Sequence, residues 1–430
     1  MKSIKEFLKI SFRNLGRHKL KTFFTVNAIA VSIFFYIYFD GFTRGIMNET
    51  VRNIIDYETG VAKIYSKKYF EKKDELPSYE SFDNYKSVVE KLDKTGFVST
   101  LRYTFTGSLL YEDKELPFLF YGVDTNNESK VLHYPKYISE GRFIESGKFQ
   151  MVIGSYAAKE LGVTVGESLN LTTIIEKKDE SGVVKYIHQL ITLELVGILK
   201  SPNPKINSFV GFIPIDILQD EMGLMLNEHI TEIIIRKKDS VENDYKDKAE
   251  SITNISKILK DDLPSDLILV SYEVDANEAL AVNKANSAAY NFIIIFLSIL
   301  AIIGVSNTIL IASLQRKTEI AMLRAIGLQD NDIIKLFLFE AGFLGLFGSI
   351  LGIILGCIIN IFMVNYGIDL TNIVKDVSDI PIRTLIWRSE WNISAIVGSG
   401  IFGIIITMTV AIIPTKQALK TTIVEGLHFD

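Results

Sequence analysis

The residues whose types and spacing could do chemistry are concentrated in one short charged stretch, residues 315–327, with the sequence QRKTEIAMLRAIG. On a helical wheel its apolar side chains Ile320, Leu323 and Ile326 fall within roughly 120° of arc. Such a ridge is suited to insertion into a groove on a partner protein. The charged neighbours that could fix the register of docking are Arg316, Lys317, Glu319 and Arg324. The stretch therefore predicts a docking helix whose chemistry is recognition, and Gly327 is expected to end it.

Patterns for catalysis and for binding of metal or nucleotide are missing from the sequence. No GxxxxGK[ST] loop is present to cradle nucleotide phosphates. The histidines are scattered, without HExxH or zinc-type Cys/His spacing, and no GxSxG elbow occurs. We therefore expect no catalytic residue, no metal site and no cofactor bound by this chain, and a membrane-anchored enzyme has no positive support. The net charge of −5 gives no case for nucleic-acid binding.

Long apolar runs on both sides position the docking stretch. A bilayer core roughly 30 Å thick is crossed by about 20 apolar helical residues. Apolar residues concentrate in four regions, which predicts spanning helices at residues 22–44, 288–314, 333–366 and 393–413. Residues 315–332 would then form a helix and turn held against one membrane face by the second and third spans.

The N-terminal segment predicts the orientation of these spans. Residues 1–21 carry seven lysines and arginines against one acid, with apolar residues on one helical face, which predicts a basic amphipathic helix on an anionic leaflet. Cations beside the first span favour a cytoplasmic N-terminus. Four spans then place the tail, residues 414–430, and the docking helix in the cytoplasm. Residues 45–287 and the loop 367–392 would lie outside it.

The large segment between the first and second spans has the composition of a soluble domain, and an α+β class is predicted for it. Six runs rich in β-branched and aromatic residues indicate strands, at residues 97–111, 118–123, 168–175, 190–199, 209–213 and 230–236. Residues 154–161 and 241–259 indicate helices. Residues 67–80 are charged and lack periodicity, which predicts a mobile loop.

The third predicted span contains a row of small residues. Gly348, Gly352 and Gly356 form a GxxxGxxxG pattern. Small residues allow helix backbones to approach closely in lipid, where no hydrophobic force drives association. The row predicts helix packing without indicating the partner helix.

Residues 314–356 resemble the core of an FtsX-type permease domain. The features that carry the resemblance are a charged start, a Leu-Arg-Ala-Ile-Gly segment, a glutamate at the head of the next span and a glycine-rich span. The tail segment IVEGL, residues 423–427, resembles the family's closing P-V-E-A-L pattern, with departures at Ile423 and Gly426. In the soluble domain, residues 141–171 and 195–224 are similar to MacB-type and lipoprotein-releasing (Lol-type) permeases.

The resemblance implies a mechanotransmission ABC transporter. Two permease subunits, identical or paired with a homologue, would associate with two copies of a separate cytoplasmic ATPase that supplies ATP and Mg²⁺. The docking helix would be its coupling helix, and the ATPase-coupling residues would be Arg316, Glu319, Ile320, Leu323, Arg324, Ile326 and Gly327.

Three functions are compatible with the resemblance. The first is extraction of lipoproteins from the bacterial inner membrane, with lipid chains entering between the first and second spans and passing to a soluble carrier. By position, the candidate lining residues are Tyr36, Phe39, Phe292 and Phe296. The second is MacB-type efflux of drugs, peptides or toxins. The third is FtsX-like signalling that controls cell-wall hydrolases.

Overall fold

The structure is a computed structural model, which describes residues 4–17, 19–178, 184–220, 228–238, 246–260, 262–314, 317–370 and 386–420. The chain divides into two compact units. The helical unit comprises Met1–Asn48, Lys284–Ile368 and Trp387–Asp430. The sheet unit comprises Glu49–Asn283 and Asp369–Ile386.

The α-helices are α1 (Ile4–Arg17), α2 (Lys19–Ile54), α3 (Lys67–Glu71), α4 (Lys86–Lys94), α5 (Glu128–Val131), α6 (Ser155–Leu161), α7 (Pro204–Asn207), α8 (Ile215–Asp220), α9 (Lys246–Leu259), α10 (Tyr272–Asp275), α11 (Asn277–Leu314), α12 (Lys317–Ala325), α13 (Asp330–Asn365) and α14 (Ile393–Leu419). A π-helical turn, Ile55–Thr59, follows α2, and short 3-10 turns cover Lys73–Glu75, Ser78–Glu80 and Tyr134–Tyr137.

The strands are β1 (Ala62–Ser66), β2 (Phe97–Tyr111), β3 (Lys114–Val123), β4 (Ile138–Gly141), β5 (Gln150–Gly154), β6 (Ser168–Lys178), β7 (Val184–Leu199), β8 (Val210–Pro214), β9 (Glu232–Lys237), β10 (Leu267–Ser271), β11 (Ile368–Asp369) and β12 (Ile386–Trp387).

Three segments of the described chain are long and apolar enough to cross a membrane. They are Thr22–Thr59, Asp330–Asn365 and Ile393–Leu419. The predicted second span, residues 288–314, lies within α11 but is not among the three, so four spans and the orientation of the chain stay predictions. The predicted fourth span, residues 393–413, lies within α14, which continues through Pro414 to Leu419.

The helix α1 packs on the start of α13. One row of α1, four residues apart, is buried: Phe7, Ser11 and Leu15. The Ser11 hydroxyl donates to the Leu336 carbonyl oxygen at 3.0 Å, and the Phe12 and Phe343 rings lie 5.6 Å apart. The predicted amphipathic helix therefore has a face that contacts protein.

The sheet unit is built on one mixed sheet. Ten strands of the described chain form it, in the order β10-β1-β9-β2-β3-β8-β5-β7-β4, with β6 pairing with β2 and β7. Each of the six predicted strands overlaps an observed one, because β-branched and aromatic residues fit the pleated surface of a sheet. The shorter strands β1, β4, β5 and β10 were not predicted.

The predicted mobile loop at residues 67–80 is wrong over much of its length. Helix α3 and two 3-10 turns fill it, and Ser66 caps α3 by accepting from the Tyr69 amide. The Tyr69 side chain is buried and stacks on Tyr65 at 5.8 Å. A buried aromatic residue and a helix cap order this segment despite its charge.

The two helices predicted in the soluble domain are present where the chain is described. Helix α6 is followed by Gly162, with φ of +80°. Helix α9 buries Ile255 and Leu259, and residues 241–245 of the predicted helix lie outside the described residues.

Candidate functional site

The helix α12 occupies the predicted docking stretch and is held by two neighbouring helices. Ile320, only 2% exposed, packs in a cluster with Ile333 of α13 and Ala418 of α14. Leu323 packs against the same cluster. The apolar side chains therefore attach α12 to α13 and α14 at once.

Polar contacts reinforce this attachment. The Arg324 Nη1 group donates to the Leu419 carbonyl oxygen at 3.2 Å, and its Nε lies 3.1 Å from the Asp330 carboxylate. Arg324 therefore bridges the last turn of α14 and the first turn of α13. Glu319 lies 4.0 Å from the Arg17 guanidinium at the end of α1. Since Arg324 is three-quarters buried, its bridge is screened less by solvent than the Glu319 pair.

The predicted ridge is not a single exposed surface. Ile320 and Leu323 face inward, whereas Ile326 is 78% exposed and Met322 is also exposed. Gly327 ends the helix with φ of +96°, where a side chain would be strained. The surface left for a partner is therefore formed by Met322, Ala325, Ile326 and Gly327. Arg316 lies outside the described residues, so its role stays a prediction.

The glycine row of α13 faces the first span. A Cβ on Gly348 would lie 2.6 Å from the Ile29 Cβ, and one on Gly356 would lie 3.0 Å from the Ile37 Cβ. At Gly352 it would lie 2.6 Å from the Ala30 carbonyl oxygen. Rows four residues apart thus interdigitate on α2 and α13, as in ridges-into-grooves packing.

A second face of α13 packs on α14. The Ser349 hydroxyl is buried and donates to the Gly400 carbonyl oxygen at 3.2 Å. A Cβ on Gly345 would lie 3.0 Å from the Ile404 Cα. Because α13 presents small residues to α2 and to α14, it is the central helix of this three-helix core.

A further close contact of the first span was missed from the sequence. The Glu390 amide donates to the Gly41 carbonyl oxygen at 3.0 Å, and a Cβ on Gly45 would overlap the Arg388 carbonyl. The Asn392 amide nitrogen donates to the Asp40 carboxylate at 2.7 Å. The GxxxG spacing of Gly41 and Gly45 was the available signal, although its partner is a loop segment and not a helix.

A cavity of about 580 Å³ lies between α2, α11 and α14. Isoleucine is the most frequent residue in its wall, which also carries hydroxyl groups at intervals and small residues along α14. Among its lining residues are Tyr36, Ser298, Ile299, Gly398, Phe402 and Ile406. Of the four predicted lining residues, Tyr36 lines the cavity, whereas Phe39, Phe292 and Phe296 lie outside its lining. Phe292 and Phe296 are exposed on α11. Their role in substrate binding stays a prediction.

Within the described part of the chain, no group of three or more His, Cys, Asp or Glu side chains is arranged to hold a metal ion.

Comparison with known proteins identifies the family. Residues 22–252, more than half of the chain, match the MacB-like periplasmic core domain, and residues 291–423 match the FtsX-like permease C-terminal domain. The chain is an ABC transporter permease of the FtsX/MacB type. Relatives of this permease are ABC transporter permease subunits, and the family implies a cytoplasmic ATPase as partner.

Three relatives of this permease are similar at low identity. An ABC transporter permease of Methanocaldococcus jannaschii is 23% identical over 83% of this chain and 84% of its own. The lipoprotein-releasing system transmembrane protein LolC of Neisseria meningitidis serogroup B is 22% identical over 62% of each chain. The ABC transporter permease YtrF of Bacillus subtilis is 23% identical over 97% of each chain.

Proposed function

We propose that this permease extracts lipoproteins from the inner membrane, driven by ATP hydrolysis in a separate cytoplasmic ATPase that docks on α12. It would act as a pair of permease subunits, identical or homologous, with the sheet unit in the periplasm. ATP and Mg²⁺ would be bound by the ATPase and not by this chain. A soluble carrier would accept the lipoprotein.

The observation that carries the coupling role is the attachment of α12. Because Ile320 packs against both α13 and α14, and Arg324 bridges their ends, a displacement of α12 would move the two helices together. The exposed Ile326 and Met322 leave an apolar surface for the ATPase. An apolar residue that protrudes beside charges is the form expected of a helix that inserts into a groove.

The lipid character of the cargo rests on the cavity between α2, α11 and α14. An apolar cavity among membrane helices offers few polar partners to water. Hydrocarbon chains fit such a wall, and the hydroxyl groups of Ser298 and Tyr36 could contact the ester region of a lipid. The similarity to LolC, a lipoprotein-releasing protein, supports the same cargo.

The test is reconstitution with the ATPase in liposomes that hold a triacylated lipoprotein. We expect ATP to release lipoprotein to a carrier. The variant Gly398→Leu should reduce release roughly tenfold while ATP hydrolysis continues. Gly398 lines the cavity and a Cβ there would meet no atom within 4 Å, so a leucine fits without a clash and narrows the cavity. The matched control is Gly304→Leu, since Gly304 is equally open but does not line the cavity.

The outcomes separate the alternatives. Failure of the wild-type permease to release any lipoprotein refutes the proposed cargo. Release by Gly398→Leu at the wild-type rate refutes the cavity as its path. Copurification of an outer-membrane channel favours efflux, and copurification of a murein hydrolase favours signalling.

A further inference from the structure

A network of buried charges lies in the sheet unit, beside the segments that connect it to α2 and α11. Asp275, at the end of α10 and two residues before α11, is almost fully buried. Its carboxylate lies 3.3 Å from the Lys63 ammonium group and 2.6 Å from that of Lys73, and accepts from the Tyr65 hydroxyl at 2.8 Å. Lys63 and Tyr65 lie on β1. Asp275 is therefore tied to β1 by two groups and, through Lys73, to the 3-10 turn Lys73–Glu75.

The segment that follows α2 is tied in the same way to the neighbouring strand. In the π-helical turn, the buried Asp56 carboxylate accepts from the Arg236 Nη2 group at 2.7 Å. Arg236 lies on β9. Two residues beyond the turn, the Val61 amide donates to the Ile235 carbonyl oxygen at 2.9 Å.

The two attachment points are joined to each other. Strands β1 and β9 are antiparallel neighbours, and Lys63 donates across them to the Glu232 carboxylate at 2.8 Å. Glu232 lies 3.7 Å from Arg102 on β2, and Arg102 donates to Glu128 at 2.5 Å. These ion pairs thus connect Asp275 to the three adjacent strands β1, β9 and β2.

Electrostatics keep this network ionised. Burial alone would raise the pKa of the Asp275 carboxyl, but the Lys63 and Lys73 ammonium groups outweigh burial and hold that pKa well below its usual range. Burial would likewise raise the pKa of Glu232, but Lys63 and Arg102 lower it. Separating one of these pairs would leave an uncompensated buried charge, which is strongly destabilising.

We propose that the β1–β9 pair is the joint through which force passes between the membrane helices and the sheet, with Asp275 and Asp56 as the residues that fasten α11 and α2 to it. The inference rests on the proposed coupling function. It assigns the transmission of movement to two adjacent strands and a fixed set of ion pairs, and it makes Asp275 a positioning residue. Motion of either helix would then turn the sheet as one body instead of being absorbed by the connecting segments.

The first arm of the test needs no ATPase. Hydrogen exchange of the full-length permease should rise about 10- to 100-fold at residues 267–276 in Asp275→Asn, since a hydrogen bond to a charged group is worth one to two decades in an opening equilibrium. Strands β2 and β3 should be unaffected. The matched control is Glu90→Gln, which removes an exposed carboxylate paired with Lys94 on α4. Unchanged exchange in Asp275→Asn would overturn the joint.

The second arm measures transmission in the complex with the ATPase. Spin labels are attached to cysteines that replace Asp93 and Asn331 in a Cys357→Ser background. With no further substitution, the distance between the two labels should change when ATP is added. In Asp275→Asn, ATP hydrolysis should continue while that change is lost. Residues Ala62 and Ser271 face each other across β1 and β10, so cysteines at both should form a disulfide that restores the change until it is reduced.

The outcomes distinguish the joint from the proposed function. If the wild type shows no ATP-driven change, the coupling function fails, and the hydrogen-exchange arm still decides the joint. If Asp275→Asn transmits movement like the wild type, the joint is wrong. If Asp275→Asn does not fold, the milder variants Tyr65→Phe and Lys73→Met should show graded losses of transmission, and transmission at the wild-type level in both overturns the proposal.

Discussion

Replacing Gly352 by alanine perturbs the closest approach between α2 and α13. The added Cβ would lie 2.6 Å from the Ala30 carbonyl oxygen and 2.8 Å from the Ile33 Cβ. Ordinary van der Waals contact begins near 3.4 Å, so the helices would have to separate by several tenths of an ångström. Two of the three nearest atoms belong to the Ala30 backbone, so no side-chain rotation relieves the overlap.

The magnitude follows from the cost of overpacking. Extra methyl groups in a well-packed core typically cost about 1–3 kcal/mol. For a folded unit of this size, about 1 kcal/mol shifts the Tm by roughly 2–4 °C. Gly352→Ala should therefore lower the Tm of the permease in detergent by about 2–12 °C. Gly356→Ala should cost less, because its nearest contacts are all atoms of the Ile37 side chain, which can move.

The assay is thermal unfolding followed by labelling of the single cysteine, Cys357, which lies on α13 next to the glycine row. The matched control is Gly398→Ala on α14, where the new Cβ meets no atom within 4 Å and the Tm should stay equal or rise through better helix propensity. Equal Tm values for Gly352→Ala and Gly398→Ala would refute the packing of the glycine row against α2.

Three further results are expected. Ile326→Asp should leave the Tm unchanged but reduce copurification with the ATPase at least tenfold, whereas Ile320→Asp should lower the Tm because it buries a charge between α13 and α14. Gly45→Ala should destabilise more than Gly352→Ala, as measured by the same Tm assay, because its Cβ would overlap a backbone carbonyl. The lowered pKa of Asp275 means that its stabilisation is complete above about pH 4, the usual aspartate value, and is lost as pH falls below it. The free energy of unfolding of the wild type should therefore fall as the pH drops below about 4, and in Asp275→Asn this fall should be smaller.

Periodicity allowed the longer elements of the sheet unit to be predicted. Strands such as β2 and β7 carry long runs of β-branched and aromatic residues, so their local pattern is unambiguous. Strand β1 is only five residues long and includes a lysine, so its sequence AKIYS has no run of β-branched or aromatic residues to detect. The segment 67–80 was wrongly predicted to be a mobile loop because its charges pair with residues far away in the sequence. Lys73, for example, pairs with Asp275, 202 residues away.

At the docking helix, the sequence placed the element but not its orientation. Ile320, Leu323 and Ile326 share one side of a helical wheel, and periodicity alone cannot show that two of them pack inside while the third is exposed. That division depends on Ile333 and Ala418, which come from separate helices.

The sequence by itself determined the class of this protein: apolar runs long enough to span a bilayer, a charged helix between two of them, a glycine row and no nucleotide-binding loop. These properties are local, because length, composition and spacing are read along one segment. Tertiary structure decided which surfaces meet. It placed the glycine row against α2, divided the docking helix into a buried and an exposed face, and gathered Asp275, Lys63, Glu232 and Arg102 into one buried network. A buried charge is stable only beside its partner, and strand pairing in three dimensions brings such partners together from distant parts of the chain.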